Sequence, residues 1–137
     1  MVSGGKDGLY AWMTLCEMYG GDRVIAFNYH KTGIVHELAY QNILNASKIL
    51  NSELVIVKDD EFLPRFKNNL ESFFKNPDPA MVRVALCTGC RYGITGKLYE
   101  TAYSKYKMTQ FVSAASYLEL APFKRELLKG KGNGNSK

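Results

Sequence analysis

Two short clusters in this chain have residue types and spacing that can do chemistry. The first is Ser3-Gly4-Gly5-Lys6-Asp7-Gly8. Paired glycines let a backbone turn tightly with its N–H groups facing inward, and here a hydroxyl and an ammonium flank them. The amphipathic stretch from Leu9 onward predicts a helix directly behind the turn. Backbone donors, a lysine and a helix N-terminus in one place form a site for a phosphate chain. The pattern G-x-x-x-x-G-K-[ST] is absent, so this is not a Walker loop. The plain structural alternative is a glycine turn that caps a helix beside a surface lysine.

The second cluster is Cys87-Thr88-Gly89-Cys90. Two thiolates three residues apart can bite one metal ion or close a disulfide, and Gly89 eases the turn that points both sulfurs the same way. Thiolate ligands suit zinc or iron–sulfur centres over magnesium or calcium. A closed zinc site needs four ligands, however, and Cys16, His30 and His36 have no ligand spacing. From the residues alone, a metal pair, sulfur chemistry and two half-buried thiols at a helix start all stay open.

The elements that must position these clusters alternate along the chain. Leu9, Trp12, Met13 and Cys16 fall at the spacing of one buried helical face, which ends near Gly20-Gly21; Cys16 reads as a small core residue. Residues 23–29 predict a strand buried on both faces. Asn28, Tyr29 and His30 close it, before a turn at 31–33. Ligands in open α/β sheets bind outside the carboxyl ends of strands, so Asn28, Tyr29 and His30 are candidates for holding a ligand. A polar loop with a solvated histidine is the simpler alternative. Residues 34–50 predict a helix through Val35, Leu38, Ala39, Ile43, Ala46 and Leu50, and 53–57 a strand. Asp59-Asp60-Glu61 could assist Mg²⁺, but the cluster is better read as N-terminal charge on a helix over 62–75. After the break at Asn76-Pro77-Asp78-Pro79, an apolar run over 81–86 leads to the cysteine pair. A helix over 91–105, a fourth strand over 109–114 and a last helix over 118–128 complete the pattern.

This alternation predicts an α/β fold: a doubly wound parallel sheet with helices on both faces and the glycine loop in the first β-α turn. Only Met1 and Val2 precede the loop, where a central strand is expected. The first strand therefore reads as truncated, and the chain as a fragment or one whose start is assigned a few residues late. At 137 residues there is one domain, 1–128, and a basic tail, 129–137, that cannot bury apolar surface and is expected to be disordered. The formal charge of +5 favours polyanionic partners, although the tail accounts for much of it. No apolar run is long enough to span a membrane, and no secretory signal is visible. Three cysteines, an odd number, argue for a reducing cytoplasm over a disulfide framework.

Ser3 to Asp7 resembles the SGGKDS signature of the PP-loop ATP pyrophosphatase superfamily, the adenine nucleotide alpha hydrolases. Gly8 departs from it, standing where the family has a serine whose hydroxyl reaches phosphate. In that family the loop grips the β,γ-pyrophosphate of ATP while a substrate oxygen attacks the α-phosphate. The resemblance implies ATP held by Ser3, Gly4, Gly5, Lys6, Asp7 and Gly8, with Asn28 and His30 at the nucleoside and Asp7 orienting Mg²⁺. Cys87-Thr88-Gly89-Cys90-Arg91-Tyr92-Gly93, followed by Leu98-Tyr99-Glu100-Thr101-Ala102, resembles the middle of the tRNA 2-thiolation enzymes of the same superfamily. That implies an iron–sulfur cluster or Zn²⁺ on Cys87 and Cys90, or sulfur handled by them. The family's later cysteine ligand is missing, and Ser113-Ala114-Ala115-Ser116 stands where relatives often show a Gly-His pair.

The implied enzyme is an adenylating transferase with Lys6, Asp7, Cys87 and Cys90 as its catalytic residues, acting on tRNA or another polyanionic acceptor. Two alternatives stay open. One keeps the ATP chemistry but delivers nitrogen, as in deazapurine-nitrile synthases or sugar amidotransferases. The other is a truncated, non-catalytic nucleotide-binding module working as a homodimer or with a partner chain.

Overall fold

A computed structural model of the chain describes residues 1–78 and 94–114. The sequence expectations for the 81–86 run, Cys87, Cys90, residues 91–93, the 118–128 helix and the 129–137 tail lie outside the described residues. Helix α1 (Lys6–Tyr19) starts directly at the glycine loop and ends at Gly20, whose φ of 91° needs a residue without Cβ. A 3₁₀ turn, Gly21–Arg23, leads into strand β1 (Ile25–Lys31). Helix α2 (Glu37–Leu50) then crosses to strand β2 (Glu53–Asp59). Helix α3 (Phe62–Lys75) follows with the bounds its apolar spacing predicts. Further on, a π-helical turn (Ile94–Leu98) runs straight into α4 (Tyr99–Tyr106).

β1 and β2 pair in parallel, from Ile25 opposite Glu53 to Lys31 opposite Asp59, with α2 as the crossover. Parallel strands need such a connection, and the apolar side of α2 supplies one sheet face with cover. Strand alternation divides the core in two. Ala26 and Leu54 meet Trp12, Cys16 and Ile43 from α1 and α2. Phe27, Tyr29, Val55 and Val57 meet Phe62 of α3 and Leu98 and Ala102 of the last helical segment. Each fully buried large apolar side chain among them, such as Ile43, Phe27, Phe62 and Leu98, contributes roughly 1.5–3 kcal/mol against the exposed state. Trp12 Nε1 donates to Ser52 Oγ at 2.9 Å, and Ser52 Oγ donates to the Val24 carbonyl at 2.6 Å. These bonds tie α1 to the entry of both strands.

Three expectations need correction. Met13 and Leu38 stand exposed, because α1 and α2 each touch the sheet with a narrower stripe than the apolar spacing suggests. Residues 109–114 form no strand; the Met1 ammonium donates to the Val112 carbonyl at 2.9 Å, a single bond where a strand needs a ladder. On the near side, Val2 N–H donates to the Phe27 carbonyl at 2.9 Å, which sets the first residues along the free edge of β1. The third correction concerns Asp59-Asp60-Glu61. Glu61 precedes α3 without a capping bond, and the Asp59 carboxylate turns inward.

Candidate functional site

The glycine loop sits where chain direction and close packing both demand it. Gly4 has φ of +86°, and a Cβ there would lie 2.1 Å from the Ala39 carbonyl oxygen of α2. Only glycine fits, for conformation and for space. Asn42 Nδ2 donates to the Gly4 carbonyl at 3.3 Å, a second link from α2. Gly5 is the N-cap of α1 in extended conformation, and its carbonyl accepts from Leu9 N–H at 3.1 Å. The first backbone N–H groups of α1 have no partner within the helix, and no side chain caps them among the described residues. They form the positive end of the helix dipole.

A cavity of about 330 Å³ opens on this loop. Ser3, Gly5 and Asp7 line it from the loop, Tyr29 and Lys31 from the carboxyl end of β1, and Ser113 from the 109–114 stretch. Gly8 also lies on the wall; a Cβ at Gly8 would sit 3.8 Å from Ser3 N and Val2 Cα, in ordinary contact. Lys6 is the first residue of α1 and is exposed, and its side chain is outside the wall among the described residues. The structure thus brings Ser3, Gly4, Gly5, Asp7 and Gly8 together as one loop, with Lys6 exposed at the start of α1.

Asn28 and His30 lie on the other parity of β1. Asn28 is buried, and its Nδ2 donates to the Val2 carbonyl at 2.8 Å. The His30 ring stands 4.8 Å from the Tyr40 ring. Asn28 Oδ1 and His30 Nδ1 are the buried side-chain polar atoms without a hydrogen-bond partner among the described residues. Leaving such an atom unpaired costs about 1–3 kcal/mol. His36 has a structural role: its Nδ1 accepts from Leu38 N–H at 3.2 Å and caps α2.

One cluster went unseen in the sequence. The Asp59 side chain is fully buried and accepts hydrogen bonds from the Tyr29 hydroxyl, from Arg65 Nη2 and from Lys97 Nζ, the last at 3.1 Å. Burial alone would raise its pKa. The hydrogen bonds from Tyr29, Arg65 and Lys97, with the Arg65 charge, outweigh burial and hold the carboxyl at about 2. Asp60 accepts from Thr32 Oγ1 at 2.7 Å. Asp59 therefore anchors the π-turn, α3 and Tyr29 of the cavity wall to one point. The available signal was positional: an acid closing β2, in register with the lysine that closes β1.

Among the described residues no group of three or more His, Cys, Asp or Glu side chains can hold a metal ion. Cys16 is a buried free thiol in the core, as its helical spacing suggests. No helix among the described residues is long and apolar enough to cross a membrane. Fold and site together define an α/β protein with a parallel β-α-β unit and a glycine loop at a helix N-terminus. Comparison of the chain with protein-family models, with curated proteins and with solved structures finds no match.

Proposed function

We propose that this protein binds ATP at the glycine loop and uses it in AMP-forming activation of a carbonyl acceptor, followed by sulfur transfer to that acceptor. The observation that carries the reading is the conformation of Gly4 and Gly5. The turn is locked against α2 by Gly4, and it aims the uncapped N-terminus of α1 at a cavity of about 330 Å³. Such an end binds phosphate through its N–H groups and its dipole. In this reading β2, β1 and the residue 1–2 stretch belong to a doubly wound parallel sheet of the adenine nucleotide alpha hydrolase type.

The chemistry asks the protein mainly for placement and charge neutralisation. The acceptor's carbonyl oxygen forms a bond to the α-phosphorus as the bond to the leaving pyrophosphate breaks. The loop N–H groups and Lys6 stabilise the charge on that leaving group, and Ser3 donates a hydroxyl hydrogen bond. Asp7, a carboxylate on the cavity wall, has the donor chemistry that Mg²⁺ takes, and would hold it there to neutralise phosphate charge. The sulfur step rests on Cys87 and Cys90 and on their resemblance to the tRNA thiolation enzymes. A tRNA acceptor also agrees with the net charge of +5.

Calorimetric titration of ATP into wild type and Lys6→Ala tests the core of this reading. Loss of one charge-assisted contact should weaken binding by about 1.5–3 kcal/mol. Equal affinities, or no ATP binding by the wild type, would remove the phosphate-loop assignment. Release of pyrophosphate only when acceptor RNA is present would identify the adenylating step, and release of AMP the displacement by sulfur that follows it.

A further inference from the structure

We propose that the free edge of β1 receives one extended peptide strand from a partner polypeptide, apolar along its length and acidic at its amino end. The inference is independent of the nucleotide reading. A second cavity, of about 240 Å³, follows this edge, and residues 23–27 line it in unbroken succession. Successive side chains of a strand point to opposite faces, so an unbroken run on one wall means that the backbone edge itself forms the wall. Ala11, Trp12 and Leu15 of α1 cover one face of the slot, and Met108, Gln110 and Val112 close its other side.

Met1 and Val2 show what fits there. Val2 N–H donates to the Phe27 carbonyl, and the Met1 nitrogen donates to the Val112 carbonyl, both at 2.9 Å. Successive N–H groups of an extended chain point in opposite directions, so these two residues stand between β1 and Val112 as one rung of a middle strand. They run toward the glycine loop, parallel with β1. Because the Phe27 carbonyl faces Val2, the main-chain groups of Phe27, and by strand parity those of Ile25, face the slot. A strand added in the same direction continues the ladder along them. Its apolar walls call for the small and β-branched side chains of a strand buried on both faces. Arg23 stands exposed at the other end of the slot and forms no ion pair among the described residues. A parallel strand begins at that end, so charge complementarity asks for an acid near its amino terminus. Strand addition of this kind takes affinity from main-chain hydrogen bonds and selectivity from side-chain contacts.

The test titrates a capped synthetic peptide, with one glutamate near its amino end and alternating valine and alanine after it, into the full chain. Trp12, the single tryptophan, lines the slot, so its emission reads occupancy. Binding should be saturable and one-to-one, and hydrogen exchange should slow at the Ile25 and Phe27 amides. Arg23→Glu should weaken binding about fivefold, and a peptide with lysine in place of its glutamate should restore it. The reversed peptide, with glutamate near its carboxyl end, should bind wild type less tightly. Thermal melts of Arg23→Glu report folding independently. No saturable binding overturns the assignment, as does binding that leaves exchange at Ile25 and Phe27 unchanged or ignores the charge swap. Slowed exchange at these amides with rising protein concentration alone gives the slot to a second copy of the chain, and overturns the assignment to a partner.

Discussion

Replacing Asp59 by asparagine removes the charge on which Tyr29, Arg65 and Lys97 converge while keeping the side-chain volume. The Asp59 carboxyl is held at about 2 against an ordinary 3.8, so its ionisation favours the folded state by roughly 2 kcal/mol at neutral pH. The asparagine also turns an amide N–H toward donors, which adds to the loss. Unfolding entropy of about 2.1 cal/mol/K per residue over 137 residues makes 2 kcal/mol worth about 7 °C in melting temperature. The pH dependence follows from the direction of the shift. A depressed carboxyl contributes fully above its unfolded value, loses about half of that contribution near pH 3, and nearly all of it by about pH 2. Thermal melts of wild type and Asp59→Asn should therefore differ by about 7 °C or more at pH 7, and the gap should narrow as pH falls from about 4 to about 2. A gap that is small at pH 7, or that stays constant down to pH 2, would refute the reasoning that this buried carboxylate is a charged anchor.

The loop glycines should separate fold from function. Gly4→Ala places a Cβ 2.1 Å from the Ala39 carbonyl at φ of +86° and should cost at least about 3 kcal/mol of stability, read by denaturant unfolding. Gly5→Ala meets nothing closer than the Ser3 hydroxyl at 3.8 Å, so it should cost well under about 1 kcal/mol, yet its methyl at the cavity wall should weaken ATP binding measured by calorimetry. Gly8→Ser is accommodated without crowding and replaces a poor helix former; melting temperature should rise by roughly 1–3 °C, and ATP affinity should rise with the added hydroxyl. Serine at both Cys87 and Cys90 should abolish metal in anaerobically purified protein by elemental analysis, whereas Cys16→Ala should change only stability.

Local pattern was enough to read the elements. Period-3.6 apolar spacing located α1, α2 and α3, a continuous apolar run located β1, and Gly20 stopped α1, because these depend on neighbours within one or two turns. The glycine loop was legible for the same reason: turn, helix end and lysine are contiguous in the chain. The cavity wall was not. Sequence placed Asn28, Tyr29 and His30 together at the carboxyl end of a strand, but the parity of β1 that faces the cavity belongs to Tyr29 and Lys31, not to Asn28 and His30. A side-chain period of two makes that choice depend on which face α1 and α2 cover, a long-range outcome. Asp59 shows the same division. Its acidic neighbours suggest helix-end charge, and only the parallel pairing of β2 with β1, together with the packing of α3 and the π-turn, brings Tyr29, Arg65 and Lys97 onto one buried carboxylate. The chain by itself determined which residues could bind phosphate; tertiary packing decided which of them share a wall, because charge and hydrogen bonding act through space.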